Sequence, residues 1–196
     1  MSGKIAKRPP KKADRPDKSG ATKARVLEAG ARLFAAYGLR RTSMEEIAAA
    51  AGVAKATAYA HFANKAEVFA AVVAWVSAGM IERAEGAARA AKTPKEAVLA
   101  SLCSKELEMY RLVHRSEHAA ELTEAFLKVG AAETESAHAQ YIASLARHLG
   151  RCPSVGARMA KSVATLLDHA AYGIAGRAEA EPDLLASLEL LVDRVV

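Results

Sequence analysis

Lys55, Thr57, Tyr59, His61 and Lys65 stand within one run of eleven residues. Together they offer the mixture of cationic and neutral hydrogen-bond donors that a polyanion accepts. A Lys at the start of a helix can donate to guanine O6 or N7. Thr57 can donate to a phosphate or touch a thymine methyl. Tyr59 and His61, two residues apart, can reach the nucleic-acid backbone on either side of a groove, contacts that fix register without reading sequence. Tyr59 can also cover the apolar seam between helices. Ala56, between Lys55 and Thr57, is counted with this set. Lys65 falls in the first turn of its helix, where the macrodipole disfavours a cation by about 0.3–1 kcal/mol. A bound phosphate would reverse that penalty. Thr42 and Ser43 head the preceding helix, whose free amides also suit a phosphate.

The elements that must position these groups are legible around them. In TSMEEIAAAAGVAKATAYAHF, residues 42–62, Thr42 and Glu45 have the spacing of a capping box. Met44, Ile47, Ala48 and Ala51 then repeat at helical spacing. Gly52 ends that helix, since a left-handed cap costs Gly no Cβ clash. Val53 returns to the core, and Lys55–Phe62 forms a second helix. Two helices joined by a Gly turn are a helix-turn-helix, whose second helix can lie in the DNA major groove. Ala48 is small enough to let the two cross closely. Upstream, a helix is expected over about 22–37, with Val26, Gly30, Leu33, Phe34 and Tyr37 on one face and Gly38 at its end. Downstream, Asn64 and Glu67 cap a helix with an apolar stripe of Val68, Val72, Trp75 and Val76. Phe62 and Phe69 are read as core anchors.

With Ile47, Gly52, Val53, Phe62, Glu67 and Phe69, the T-x-Y-x-H-F-x-x-K spacing from Thr57 to Lys65 resembles the DNA-binding domain of tetracycline-repressor-type (TetR/AcrR) transcriptional regulators over about residues 22–73. The resemblance implies an all-α protein: an N-terminal three-helix domain with the helix-turn-helix, then a C-terminal helical domain for ligand binding and dimerisation. It also implies a phosphate role for Tyr59, His61 and Lys65. The sequence departs from the family at Ala56, where Gly or Pro is common, and at Ala58, where a larger aliphatic residue is usual.

Charge is unevenly placed. The chain of 196 residues carries +6. Residues 1–25 hold nine Lys/Arg against Asp14 and Asp17, a local +7 that leaves about −1 for the remainder. A basic arm, read as disordered over residues 1–18, on a near-neutral body suits attraction to DNA. No signal-peptide pattern and no apolar run of membrane-spanning length is found, so a cytoplasmic protein, nucleoid-associated when bound to DNA and not inserted in a membrane, is expected. Cys103 and Cys152 are read as small buried hydrophobes. His114 and His118, four apart, lack a third ligand, so no metal is expected, and no cofactor. No nucleophile–base, paired-carboxylate or phosphate-loop pattern points to an enzyme.

Domains are therefore expected at 19–65 for DNA binding and 66–196 for effector binding and dimerisation. Thr93-Pro94 starts a helix through Val98, Leu102, Leu107, Tyr110 and Val113. Further helices are expected over about 121–149, 155–176 and 182–195. Residues with an apolar body and a polar tip that could line an effector pocket are Trp75, Tyr110, His138, Tyr141, His169 and Tyr172; each can equally be a satisfied core or interface residue. The last two helices are apolar on most sides, and Val163, Leu167, Ala170, Ile174, Leu184, Leu188 and Leu191 are the expected dimer interface. The whole reads as a homodimeric, sequence-specific DNA-binding regulator, a repressor released from a palindromic operator by a largely apolar small molecule. The alternative is a DNA-organising or protein-interacting factor without such an effector.

Overall fold

The structure is a computed structural model that describes residues 18–114 and 117–196. The basic arm, apart from the backbone of Lys18, lies outside these residues. Eight helices and no strand are found among the described residues: α1 (Lys18–Arg41), α2 (Met44–Ala51), α3 (Lys55–His61), α4 (Lys65–Ala90), α5 (Pro94–His114), α6 (Ala119–Leu149), α7 (Gly156–Ala175) and α8 (Glu181–Val195).

Helix α1 starts earlier and runs further than the sequence pattern predicts. Gly38 does break it, with φ 79° and ψ 164° inside the helix. The positive φ strains any L-residue there, and a Cβ would displace Glu121 of α6, whose Oε2 it would approach to 2.5 Å. Val26, Ala29 and Phe34 are buried, whereas Tyr37, expected on the same face, is 57% exposed. Gly30 lets α1 cross α4 closely, because a Cβ would meet Val68 Cγ1 at 3.0 Å.

The apolar residues form two cores. The head packs α1, α2 and α3 on the first turns of α4 through Val68, Phe69, Val72 and Val73, with Leu122 and Phe126 of α6 at its edge. Phe34 and Phe69 meet edge to face at 5.5 Å, worth about 0.5–1.5 kcal/mol beyond their burial. The body core joins Ala84 of α4 to Leu102, Tyr141, Leu145, Leu167, Leu184 and Leu188 of the four later helices. At 26 residues, α4 is about 39 Å long and belongs to both. The packing of the head thus reaches Val73, beyond the division expected at Lys65. Thr93 Oγ1 caps α5 by accepting from Glu96 N at 3.1 Å. No single described helix is long and apolar enough to cross a membrane.

Candidate nucleic-acid interface

The cap of α2 lies one residue later than expected. Ser43 Oγ accepts from Glu46 N, and Glu46 in turn accepts from the Ser43 amide, completing the capping box. Thr42 is instead 3% exposed, and its hydroxyl donates to Gly38 O at 2.8 Å. That hydroxyl is a fastener between α1 and α2, not a group turned to a ligand. Gly52 takes the left-handed cap, φ 63° and ψ 39°. Arg25 of α1 donates to its carbonyl at 2.9 Å, which clamps the turn onto the first helix.

On α3, Ala58 is fully buried and Phe62 nearly so, which turns the opposite face outward. Lys55, Ala56 and Tyr59 are exposed there, with Thr57 and His61 half-buried at its flanks. Tyr59 retains 41% of its surface, too much for a purely packing residue. The small Ala58 does not loosen the helix; it lets α3 sit flush on the head core.

Lys55 is not idle in the DNA-free protein. Its ammonium pairs with Glu45 of α2 at 2.5 Å and lies 5.7 Å from the centre of the Tyr59 ring. The hydrogen bond to Glu45 raises Lys55 above its ordinary value, and the same bond holds Glu45 below the usual carboxylate range. Hydrogen bonds from Ser43 lower Glu46 likewise. The α2–α3 surface thus presents Tyr59, Thr57 and His61 beside a lysine that must exchange partners to touch a base.

Lys65 is engaged within the head. Its Nζ donates to Leu39 O at 2.7 Å, Arg40 O at 3.0 Å and Thr42 O at 2.8 Å. An ammonium has three protons, and all are engaged. The cation caps the carbonyl end of α1, where the macrodipole favours it. In the DNA-free protein these bonds hold α1, α2 and α4 in register and engage the protons that a phosphate contact would need.

The six residues proposed for an effector pocket divide. Trp75, His169 and Tyr172 are exposed. Tyr110 and Tyr141 are buried in the body and His138 is half-buried; His138 and Tyr141 adjoin a charged cluster that the apolar pattern did not reveal. Lys105 Nζ meets Glu106 Oε1 at 2.5 Å and Asp168 Oδ1 at 2.9 Å. His138 Nε2 meets Asp168 Oδ2 at 2.8 Å. Glu106 is completely buried, and among the described residues its Oε2 and the Tyr141 hydroxyl find no hydrogen-bond partner within ordinary geometry. Desolvation raises Glu106 and Tyr141, the latter to about 12. Asp168 is also desolvated, but Lys105 and His138 outweigh this and lower it. Tyr110 donates to Glu179 O at 3.0 Å and stacks on His114. Among the described residues no three His, Cys, Asp or Glu side chains could hold a metal.

The residues expected at a dimer face divide between the protomer's core and its surface. Leu167, Leu184 and Leu188 are 0% exposed within the protomer, so they build its own core. Ile174 and Leu191 pack at the edge of that core. Val163 and Ala170 are half-buried and line up at helical spacing with Met159 and Leu166, which are 50% and 60% exposed. On α8 the outward leucines are Leu185 and Leu190.

Residues 26–72 match the family described as bacterial regulatory proteins, tetR family. No curated protein matches the chain. Among solved structures, a TetR transcriptional regulator from Rhodococcus sp. RHA1 is similar at 22% identity and TM-score 0.64, over 92% of this chain and 98% of that one. A TetR/AcrR-family regulator from Thermobifida fusca YX-ER1 gives 18% and 0.68 over 87% and 95%. The regulator FadR from Bacillus subtilis, in complex with stearoyl-CoA, gives 19% and 0.60 over 88% and 97%.

Proposed function

This chain belongs to the tetR family of bacterial regulatory proteins, by the sequence of its head and the fold of its length, and from that premise we propose that it is a homodimeric repressor released from a palindromic operator by a small molecule. DNA-binding regulation follows from the family; the remainder is our reading. The observation that carries it is the outward face of α3, where Lys55, Ala56 and Tyr59 stand exposed on a rigid three-helix support.

In this reading Lys55 leaves Glu45 for a guanine edge. Tyr59, His61, Thr57 and the Ser43-capped start of α2 hold the backbone on either side. Lys65, Arg25 and Thr42 set the geometry without touching DNA. The protein works in the cytoplasm on nucleoid DNA. Two protomers pair through Met159, Val163, Leu166 and Ala170 of α7 with the outward leucines of α8. A two-fold dimer of such heads matches half-sites about 34–36 Å apart or a multiple of that.

Release requires an effector that favours a conformation with misplaced heads. The support for a route is Glu121, in the first turn of α6: its Oε1 accepts from the Arg40 amide at 2.7 Å, so the body holds the head at the Gly38 bend. That FadR is found with an acyl-CoA is in keeping with a largely apolar effector here. Selection of bound duplexes from a random pool at near-physiological salt tests the reading. Enrichment of a palindrome is expected; recovery of unenriched DNA would overturn sequence-specific repression and favour a DNA-organising role.

A further inference from the structure

The second half of α6, the loop after it and the start of α7 line an open cleft of about 670 Å³. That volume lies within the range of small-molecule sites, about 300–1,000 Å³. Its floor is alanine-rich: Ala139, Ile142, Ala143 and Ala146 form an i, i+3, i+4, i+7 stripe on α6 and face Ala160 of α7. Ala139 and Ala143 are exposed to solvent, so water in the cleft finds no hydrogen-bond partner on these side chains. The rim is of another kind. Arg147, Arg151 and Lys161 stand around the cleft, and none forms an ion pair among the described residues, whereas Arg83, Arg89 and Arg111 each hold a glutamate. Arg147 donates to Ser144 Oγ at 3.0 Å. His148, next to the rim, is lowered by desolvation and then by Arg147 and Arg151, as a locally positive field requires.

An apolar trench with cations at its edge and no carboxylate on its lining has one complementary occupant. We propose that the α6–α7 cleft binds a free single-chain amphiphile with an anionic head, its chain on the alanine floor and its carboxylate or phosphate held by Arg147, Arg151 and Lys161. Guanidinium forks suit such heads because two parallel N–H donors match two oxygens. Each methylene removed from water strengthens binding by about fourfold.

The site is also placed to act on the head, and this part rests on the effector reading above. Helix α6 is continuous from Glu121 to the cleft. Ala143 lies 22 residues beyond Glu121, about 33 Å along the helix axis. A chain seated between α6 and α7 changes their separation at one end of a rod whose other end holds Arg40.

The test is calorimetric titration of the full chain, without DNA, with sodium dodecanoate below its micelle concentration, alongside dodecyltrimethylammonium and dodecyl maltoside. Dodecanoate is expected to bind and the two others to bind at least tenfold more weakly. Arg147→Glu/Arg151→Glu should weaken dodecanoate tenfold or more, and Ala143→Trp, which fills the floor from an exposed position, should abolish it with the melting temperature unchanged. Absence of dodecanoate binding, equal binding of all three heads, or retention by Ala143→Trp would overturn the proposal. Adsorption to phosphatidylglycerol vesicles without dodecanoate binding would overturn it in favour of a membrane surface. Because DNA is absent, the two readings fail separately. A palindrome with no dodecanoate binding removes only the cleft; binding as described with no palindrome removes only the repressor.

Discussion

The head and the body treat charge in opposite ways. In the head, Thr42 is the only buried polar residue described, and the cations work at the margin: Arg25 on a turn carbonyl, Lys65 on three helix-end carbonyls, Lys55 on a surface glutamate. In the body, Glu106 and Asp168 are buried beside the apolar core, as are Ser101 and Ser144, and are linked through Lys105. A surface that must meet DNA keeps its donors accessible and exchangeable. A buried triad has no such freedom, and removing one member strands the others in low dielectric. The difference teaches that the head keeps its cations open to partner exchange, whereas the body pairs its charges with one another inside.

The sharpest way to break this contrast is in the body. Lys105→Ala leaves Glu106 buried without its cation and Asp168 with His138 alone, and should cost about 3–5 kcal/mol. At about 2–4 °C per kcal/mol for a chain of this size, a fall of about 6 °C or more is expected in thermal unfolding. A change under 2 °C would mean the triad is solvated.

Lys65→Ala comes next. Loss of a charged donor to three carbonyls should cost about 1.5–3 kcal/mol, and DNA affinity should fall through disordering of the head. The slope of log affinity against log salt should stay unchanged, because no phosphate contact is lost. A slope reduced by about one would restore the phosphate role.

Lys55→Ala should leave stability alone and relax discrimination at one operator position by about tenfold or more, read by competition among single-base variants of the selected site. Uniform weakening at every position would remove Lys55 from the reading set.

The smallest effect is in pH. Glu106 is raised by burial, so its contribution to stability is greatest when protonated and declines as pH rises from its unfolded value, about 4.3, through its folded value. Asp168 is lowered, so its contribution is present above about pH 3.9 and is lost as pH falls through its folded value. Denaturant titrations between pH 3 and 8 should therefore show Glu106→Gln flattening the decline on the neutral side. Asp168→Asn should act on the acid side only. Identical pH profiles for wild type and Glu106→Gln would show that Glu106 is ionised in both states without penalty.

The head was largely legible because its signals are local. Gly38, Gly52, Asn64 with Glu67, and the stripe Met44, Ile47, Ala48, Ala51 all act within four residues. Even so, TSMEE satisfies the capping-box pattern twice, as Thr42 with Glu45 and as Ser43 with Glu46. What decides between them is the bond from Thr42 to Gly38 O across the end of α1. The carbonyl contacts of Lys65 are not legible for a related reason: its acceptors lie 23 to 26 residues upstream. In the body, Val98, Leu102, Glu106 and Tyr110 form one i+4 ladder, as do Ala160, Ala164, Asp168 and the neighbouring Ala171 face of α7. A carboxylate on such a ladder was the available signal. Its partner is not: Lys105 reaches Asp168 across 63 residues. Helix α8 has leucines on most sides, and only the packing of α5 and α7 decides that Leu184 and Leu188 turn inward while Leu185 and Leu190 turn out.

The bond between Lys55 and Glu45 has a consequence for how the protein searches. On random duplex, phosphates alone attract, and a lysine already neutralised by its own carboxylate gains little by moving to one. Glu45, exposed on α2, also repels the backbone slightly. On the function proposed above, the head travels over wrong DNA with weak grip and short dwell, and exchanges its ion pair only where a guanine edge offers two acceptors. Tightness is withheld until the site is found. Glu45→Gln should raise affinity for random duplex more than for the operator, so that the ratio between them narrows while the operator complex forms more slowly in an excess of competitor DNA.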